Sequence, residues 1–490
     1  MKINQLYSGF LLALTLALSS CHDSLLNPTP ESVLTSTNYY KTAKDMDLAV
    51  LGIYNRLQSR KPGDYLLMEV PGDNLYMSAN TSVAGAPEID LLALNSDNPI
   101  VADFWENTYN GIFRANSVLA NIETPTDYRG TQKDQFIGEA KFMRALFYFD
   151  LVRIFGGVPK VTSLLSIDAA STLPRASEEE IYALIVDDLK DAIAKLPVQS
   201  AMARGRASKG AATGLLAKAY VYRKDWANAK TYLDQMATFN YSLLPNFASL
   251  WTLENEDNAE VLFAVKYIDG TNGQNLSTAF IPNAGAINIV NRGAEVALPS
   301  WSLMKNYVEG DTRYASTVTQ FWVPPTKPTD PPIWYPFVSK YAVKHTFESS
   351  GLDLPVMRYA DVLLLKAETL YELNQPEAAL TELNKVRARA FGNTTHNYKL
   401  TDIASRDAFV DKLLLERQLE FAYENERWFD LTRTGKLTTV MTKEERLFNY
   451  STKTPVTVQL NPKAYMKAFP VPQRQINQSA PGILTQNEGY

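Results

Sequence analysis

Cysteine is nearly absent from this chain of 490 residues, with Cys21 the single example. No internal disulfide can therefore staple the fold. Histidine is almost as scarce: His22, His345 and His396 are far apart in sequence, so no zinc-ligand spacing exists. Excess positive charge is lacking too. The chain has 48 Lys and Arg against 53 Asp and Glu, a formal net charge of −5. That balance argues against nucleic acid as a partner and against polybasic attachment to a membrane. The apolar run Phe10–Leu18 is too short to span a bilayer, and no later stretch is apolar enough to do so. A phosphate-cradling glycine loop and a nucleophile elbow are both missing. Carboxylates are plentiful but no pair stands out by spacing, so a two-carboxylate glycosidase stays open on sequence alone.

What is present begins at the N-terminus. Lys2, the apolar run and Leu18-Ser19-Ser20-Cys21 have the layout of a secretory signal: charged start, apolar core, small-residue processing site. A lone cysteine at that point resembles the lipobox of bacterial lipoproteins, in which it becomes an acylated N-terminus. The alternative is an ordinary secretory signal with a stray cysteine. Loss of residues 1–20 removes Lys2 and no acid, leaving 47 basic against 53 acidic side chains, a net charge of −6. Residues 21–38, with Pro28 and Pro30, then read as a polar, extended tether.

Helical periodicity dominates the remainder. Candidate helices run over Asp45–Leu57, Phe104–Ile122 and Glu139–Phe155, the last apolar nearly all round and hence suited to the middle of a bundle. Gly156-Gly157-Val158-Pro159 ends it. Ser177-Glu178-Glu179-Glu180 opens another helix, to about Leu196, with a capping box. Two segments, Ser208 to about Phe239 and Arg358 to about Phe391, look alike. Ala217 and Ala229 in the first match Ala367 and Ala379 in the second, each pair 12 residues apart. Small residues at that spacing let two antiparallel helices approach closely, as in a tetratricopeptide-type repeat.

The segment of about 240–345 is different. Glu260–Tyr267 alternates as a strand does. Trp322–Pro336 carries six prolines, which rule out a helix or a central strand there. Long loops stiffened in this way are frequently functional, and Pro62–Ile100 is a second loop-rich stretch.

The most specific pattern is Glu416-Arg417-Gln418-Leu419-Glu420-Phe421-Ala422-Tyr423-Glu424-Asn425-Glu426-Arg427-Trp428-Phe429-Asp430-Leu431-Thr432-Arg433-Thr434-Gly435-Lys436. It resembles the signature of the SusD/RagB family, outer-membrane lipoproteins of Bacteroidetes-type bacteria. Leu26-Asn27-Pro28, Arg144–Pro159, Arg358–Leu364, Asn384–Arg387, Phe469–Pro472 and Gln486–Tyr490 fall in the order that family shows. The resemblance thus spans essentially the whole chain. Asn425 stands where the family usually has glycine, and Asn is the next best residue for a left-handed helix end. Glu488 replaces a usual proline.

The resemblance implies a mainly α fold: a tetratricopeptide-like helical-repeat scaffold with long irregular loops and a few short strands. Length alone suggests two or three domains. The resemblance instead implies a signal peptide over 1–20, a lipidated tether over 21–38 and one SusD-like domain over 39–490, with its loop-rich insert at about 240–345. It further implies a cell-surface glycan-binding lipoprotein, held in the outer membrane through acylated Cys21 and facing outward. As partner it implies a SusC-like TonB-dependent transporter, which the protein would cap, and as ligand an oligosaccharide, with no cofactor and no catalysis. An oligopeptide-binding member of the same architecture is the alternative. Aromatic faces cover the apolar C–H faces of sugars, and Asn, Asp, Gln and Arg bond their hydroxyls. On that chemistry the candidate ligand contacts are Trp334, Tyr335 and Trp322 in the proline-rich loop, with Asp73, Asn74 and Tyr76 in the earlier one. The opposite expectation, packing of the loop onto the scaffold, applies to each of them. Trp105 and Trp226 are assigned to packing, and the charged residues of the signature to architecture, because the planar fork of arginine suits buried carboxylate pairs.

Overall fold

The computed structural model describes residues 39–490. Cys21, the signal segment and the tether lie outside the described residues. The longer helices are α1 (Ala43–Arg60), α2 (Pro99–Asn121), α3 (Gln132–Phe155), α4 (Glu178–Lys195), α5 (Lys209–Tyr222), α6 (Trp226–Gln235), α7 (Tyr359–Glu372), α8 (Pro376–Phe391), α9 (Arg406–Phe421) and α10 (Arg427–Arg433). Their starts follow local chemistry. Thr42 and Asp45 form a capping box on α1, and Ser177 and Glu180 form the one expected on α4. Asn98 caps α2 ahead of Pro99 at its first position. The stop of α3 is Gly156, at φ +71°, a conformation open to glycine at little cost.

Helix α3 is buried on most sides, as its composition predicts. Its three buried charged residues are matched: Arg144 grips Asp188 of α4 through two bonds of 2.7 Å, Asp150 pairs with Arg60 and Arg153, and Glu139 accepts from Tyr54. The helices pack serially, α2 on α3, α3 on α4, α4 on α5 and α5 on α6. Helix α6 then packs against α7, which pairs with α8. The two look-alike segments are therefore neighbouring helical hairpins, joined across the long insert. Ala217, Ala229, Ala367 and Ala379 are all fully buried at the close approaches.

Among the described residues, eight short strands form four separate antiparallel pairs. β1 (Leu75–Met77) pairs with β3 (Ala297–Pro299), and β2 (Val261–Val265) with β6 (Leu354–Arg358). β4 (Val318–Trp322) pairs with β5 (Ile333–Val338), and β7 (Lys443–Asn449) with β8 (Thr454–Gln459). The proline-rich stretch is the tip and second strand of the β4–β5 hairpin. Pro336 is tolerated because that sheet has only two strands. The main hydrophobic core runs from Met46 to Leu484, and a second, small cluster joins Ile281, Ala286, Val290 and Phe337. No helix among the described residues is long and apolar enough to cross a membrane.

The signature of α9 and α10 is the polar heart of the fold. Fully buried Arg313 reaches Asp311, Glu416 and Glu420, and Arg358 reaches Glu260, Glu420 and Glu424. Arg417 bridges Asp361 to Asp430, and Arg433 bridges Glu368 to Asp430. Asn425 has φ +69°, the left-handed turn expected of it. It is preceded by Tyr423, also at φ +69°. Glu69 secures this turn by accepting from the backbone N–H groups of Tyr423 and Asn425, each at 2.9 Å.

Candidate functional site

Three of the six candidate ligand contacts are committed to the scaffold. Asp73 is 4% exposed and holds both sides of the Arg427 guanidinium at 2.6 and 2.7 Å. Burial alone would raise its carboxyl pKa, but Arg427 beside it brings it below the usual range. Asn74 is fully buried, donating to Glu69 and accepting from Gln418. Tyr76 is 6% exposed and its ring meets Phe448 edge-on at 5.7 Å. Asp73 and Asn74 are buried and bonded within the scaffold, so the expectation of contact is corrected for both. Tyr76 serves as support beneath a surface feature.

That feature is an aromatic ledge built where the β4–β5 and β7–β8 hairpins meet. The antiparallel register brings Phe321 opposite Trp334 and Trp322 opposite Ile333. Tyr335 stacks on Tyr450 with centroids 4.9 Å apart and planes at 23°. Trp334 packs edge-on against Phe448 at 5.1 Å and lies 6.1 Å from Tyr450. Trp322 tilts against Tyr335 at 5.3 Å, while its indole N–H donates to the Gly285 carbonyl at 2.9 Å. Trp322 therefore anchors the loop around Gly285, and Trp334 and Tyr335 are half-buried. The open faces belong to Tyr450, 38% exposed, and Phe321, 53% exposed. The Tyr335 hydroxyl donates to Glu295 at 2.8 Å. Burial, and then that carboxylate, push its pKa up, so it stays a donor.

Beside the ledge lies a groove of about 810 Å³, within the range of ligand pockets. One wall is the end of α1 with Asn55, Gln58 and Ser59. The other is the start of α2 with Asp103 and Asn107. Asn272, Gln274, Asn275 and Glu348 close the far side, and Val83 and Ala84 close the near one. Asn55, Asp103, Asn272, Asn275 and Glu348 are exposed at its rim. The floor is Arg60, which donates to Thr108 at 2.8 Å and lies 4.5 Å above the Phe104 ring. Burial disfavours its charge, but Asp64 and Asp150 more than offset this and raise its pKa. Val83 and Ala84 belong to the same loop as Asn80, whose amide lies 3.5 Å from Glu295 under the ledge. Asn80 and Val83 are three residues apart, at most about 11 Å of chain. The loop from Asn80 to Ala84 thus runs from Glu295 under the ledge to the groove wall.

Sequence reasoning missed Tyr450, Phe321, Glu295 and the groove. The available signal was weak: polar Asn80-Thr81-Ser82 in a Gly- and Asn-rich loop, and a Tyr at the turn between two strands. The partners are far apart in sequence, 215 residues for Asn80 and Glu295, and no local pattern encodes such a meeting.

A helical-repeat scaffold that presents an aromatic ledge and an amide-lined groove has the form of a binding protein. Comparison with known proteins places it further. A family model described as "SusD family" matches residues 286–490, and one described as "Starch-binding associating with outer membrane" matches residues 66–221. The chain belongs to the SusD/RagB family. A SusD-like protein of Formosa agariphila is 27% identical over 90% of this chain and 93% of its own length. One of Bacteroides ovatus is 25% identical over 85% and 80% respectively. Among solved structures, a laminarin-binding SusD-like protein superposes with a TM-score of 0.77 at 24% identity, covering 92% of this chain and all of that one. Surface glycan-binding protein A from Bacteroides thetaiotaomicron, in complex with laminarihexaose, superposes with a TM-score of 0.75 at 21% identity, covering 91% of this chain and all of that one.

Proposed function

We propose that this protein is a cell-surface lipoprotein that captures oligosaccharides and passes them to a SusC-like TonB-dependent transporter that it caps. The carrying observation is the pairing of the Tyr335–Tyr450 ledge with the amide- and carboxylate-rimmed groove across one loop. Aromatic faces receive the C–H faces of sugar rings, and Asn55, Asp103, Asn272 and Asn275 are placed to bond hydroxyls. The laminarin and laminarihexaose ligands of the two structural neighbours support the ligand class. Trp334 and Tyr335 are the proposed ligand-facing residues of the expected set, with Tyr450 added. Capture proceeds without bond cleavage.

The groove's amide side chains also suit a peptide backbone, which favours the oligopeptide reading as the second choice. A glycan array followed by calorimetry, with peptide pools in parallel, separates the two. Product analysis of the same incubations tests for turnover. Co-purification tests the transporter. For the anchor, Cys21→Ala is expected to release the protein from outer-membrane fractions, and retention at wild-type levels would refute lipidation at Cys21.

A further inference from the structure

Glu295 is a buried carboxylate, 4% exposed, in the left-handed backbone region at φ +43°. A non-glycine residue persists there only when its surroundings over-determine it. No cation pairs with it among the described residues. Its satisfaction comes from three donors on three different segments. Oε1 accepts from the Tyr335 hydroxyl at 2.8 Å and lies 3.5 Å from Asn80 Nδ2. Oε2 accepts from the backbone N–H of Asn283 at 3.2 Å. Its own N–H donates to the Ile281 carbonyl at 3.0 Å. Asn80 belongs to the loop that walls the groove, Asn283 opens the loop that Trp322 anchors at Gly285, and Tyr335 stacks under Tyr450 on the ledge. A carboxylate accepts from all three donors at once, whereas a glutamine would keep one acceptor oxygen and require the Tyr335 hydroxyl to accept instead of donate.

We infer that Glu295 is the positioning residue of the binding site, a clasp that holds groove wall and ledge in one arrangement before ligand arrives. The inference rests on the binding reading above for its purpose, but not for its geometry. Preorganisation of this kind raises affinity because less order is lost on binding. Glu295 touches no ligand in this scheme and acts through Tyr335 and Asn80.

The test has one arm that needs no ligand. Hydrogen exchange is followed across the full chain for wild type, Glu295→Ala and Tyr335→Phe. In Glu295→Ala, amides of 78–84 and 281–295 are expected to exchange about tenfold faster or more, with exchange in the helices unchanged. Tyr335→Phe removes only the hydroxyl and serves if Glu295→Ala folds poorly. It is expected to speed exchange in 281–295. Unchanged exchange of 78–84 in Glu295→Ala overturns the clasp. The second arm is calorimetry with laminarihexaose and the best array glycan. Both variants are expected to lose about tenfold in affinity, and the double variant no more than either alone, since both break one connection. Additive losses would place Glu295 in direct contact with ligand and overturn the positioning role. If wild type binds no glycan, the binding reading fails, while the exchange arm still decides whether the clasp exists.

Discussion

Single side chains here divide sharply between those that hold the fold and those with a face to spare. Asp73 and Tyr450 are the test pair. Asp73→Ala strands the Arg427 guanidinium in the core, and breaking a buried pair costs about 3–5 kcal/mol. It is expected to lower the melting temperature by many degrees, measured by calorimetry, rather than to change affinity in protein that stays folded. Tyr450→Ala removes the open face of the ledge and is expected to weaken glycan binding by about 2 kcal/mol, the size of a binding hot spot, with little change in melting. Trp334→Ala should do both, because Trp334 is half-buried against Phe448. The residue scale is also where the sequence was least legible. An Asp-Asn pair in a polar loop reads the same whether it faces solvent or an arginine 354 residues away. The arginines and glutamates of 416–433, spread over α9 and α10, were legible as architecture because the planar fork of arginine suits buried carboxylate pairs.

Elements were far more legible than sites. Periodicity, capping boxes and proline positions are local, and they set most bounds of α1 through α8 to within a few residues, although α3 begins at Gln132 and not at the expected Glu139. The exceptions are informative. Helix α2 starts at Pro99 and not at the expected Phe104, because Asn98 caps it, Pro99 suits its first position and Val101 is already buried in its first turn. The β7–β8 hairpin was not anticipated: its burial alternates on β7 only, and β8 is exposed along nearly its whole length. The matched alanines were readable as close-approach positions because only a small residue fits there. Ala229→Trp and Ala379→Trp are therefore expected to destabilise the protein by about 1–3 kcal/mol or more through overpacking. Unchanged thermal melting of both would refute close packing at these positions.

At the scale of the whole molecule, stability depends on pH through two opposed sets of buried acids. Asp73, Asp150, Glu424 and Asp430 sit where burial alone would raise their pKa, but Arg427, Arg60, Arg358 and Arg417 outweigh it and lower it. Their contribution is present above the unfolded values of 3.8 and 4.5 and is lost as pH falls through the lower folded values. Glu69 and Glu444 are pushed up to about 7 by burial. Each costs stability above that pH, and the cost is relieved as pH falls from 7 toward 4.5. Melting temperature should therefore peak at about pH 4.5–5 and fall steeply below about pH 4. A flat profile from pH 7 down to 3 would contradict this assignment. The family and the serial helix packing could be read from the chain as a whole. The proposed binding surface could not, because it is assembled from two hairpins, two helix ends and several loops whose meeting only the tertiary structure specifies.

The central claim is that the Tyr335–Tyr450 ledge and the adjoining groove bind an oligosaccharide without cleaving it. Isothermal titration of the lipid-free protein with the best glycan-array hit tests it most directly, run beside Tyr450→Ala and with the spent ligand analysed for products. Saturable binding to wild type, a loss of about 2 kcal/mol in the variant and intact ligand afterwards are the predicted result. Equal affinity of wild type and Tyr450→Ala, or a ligand shortened during the titration, would contradict it.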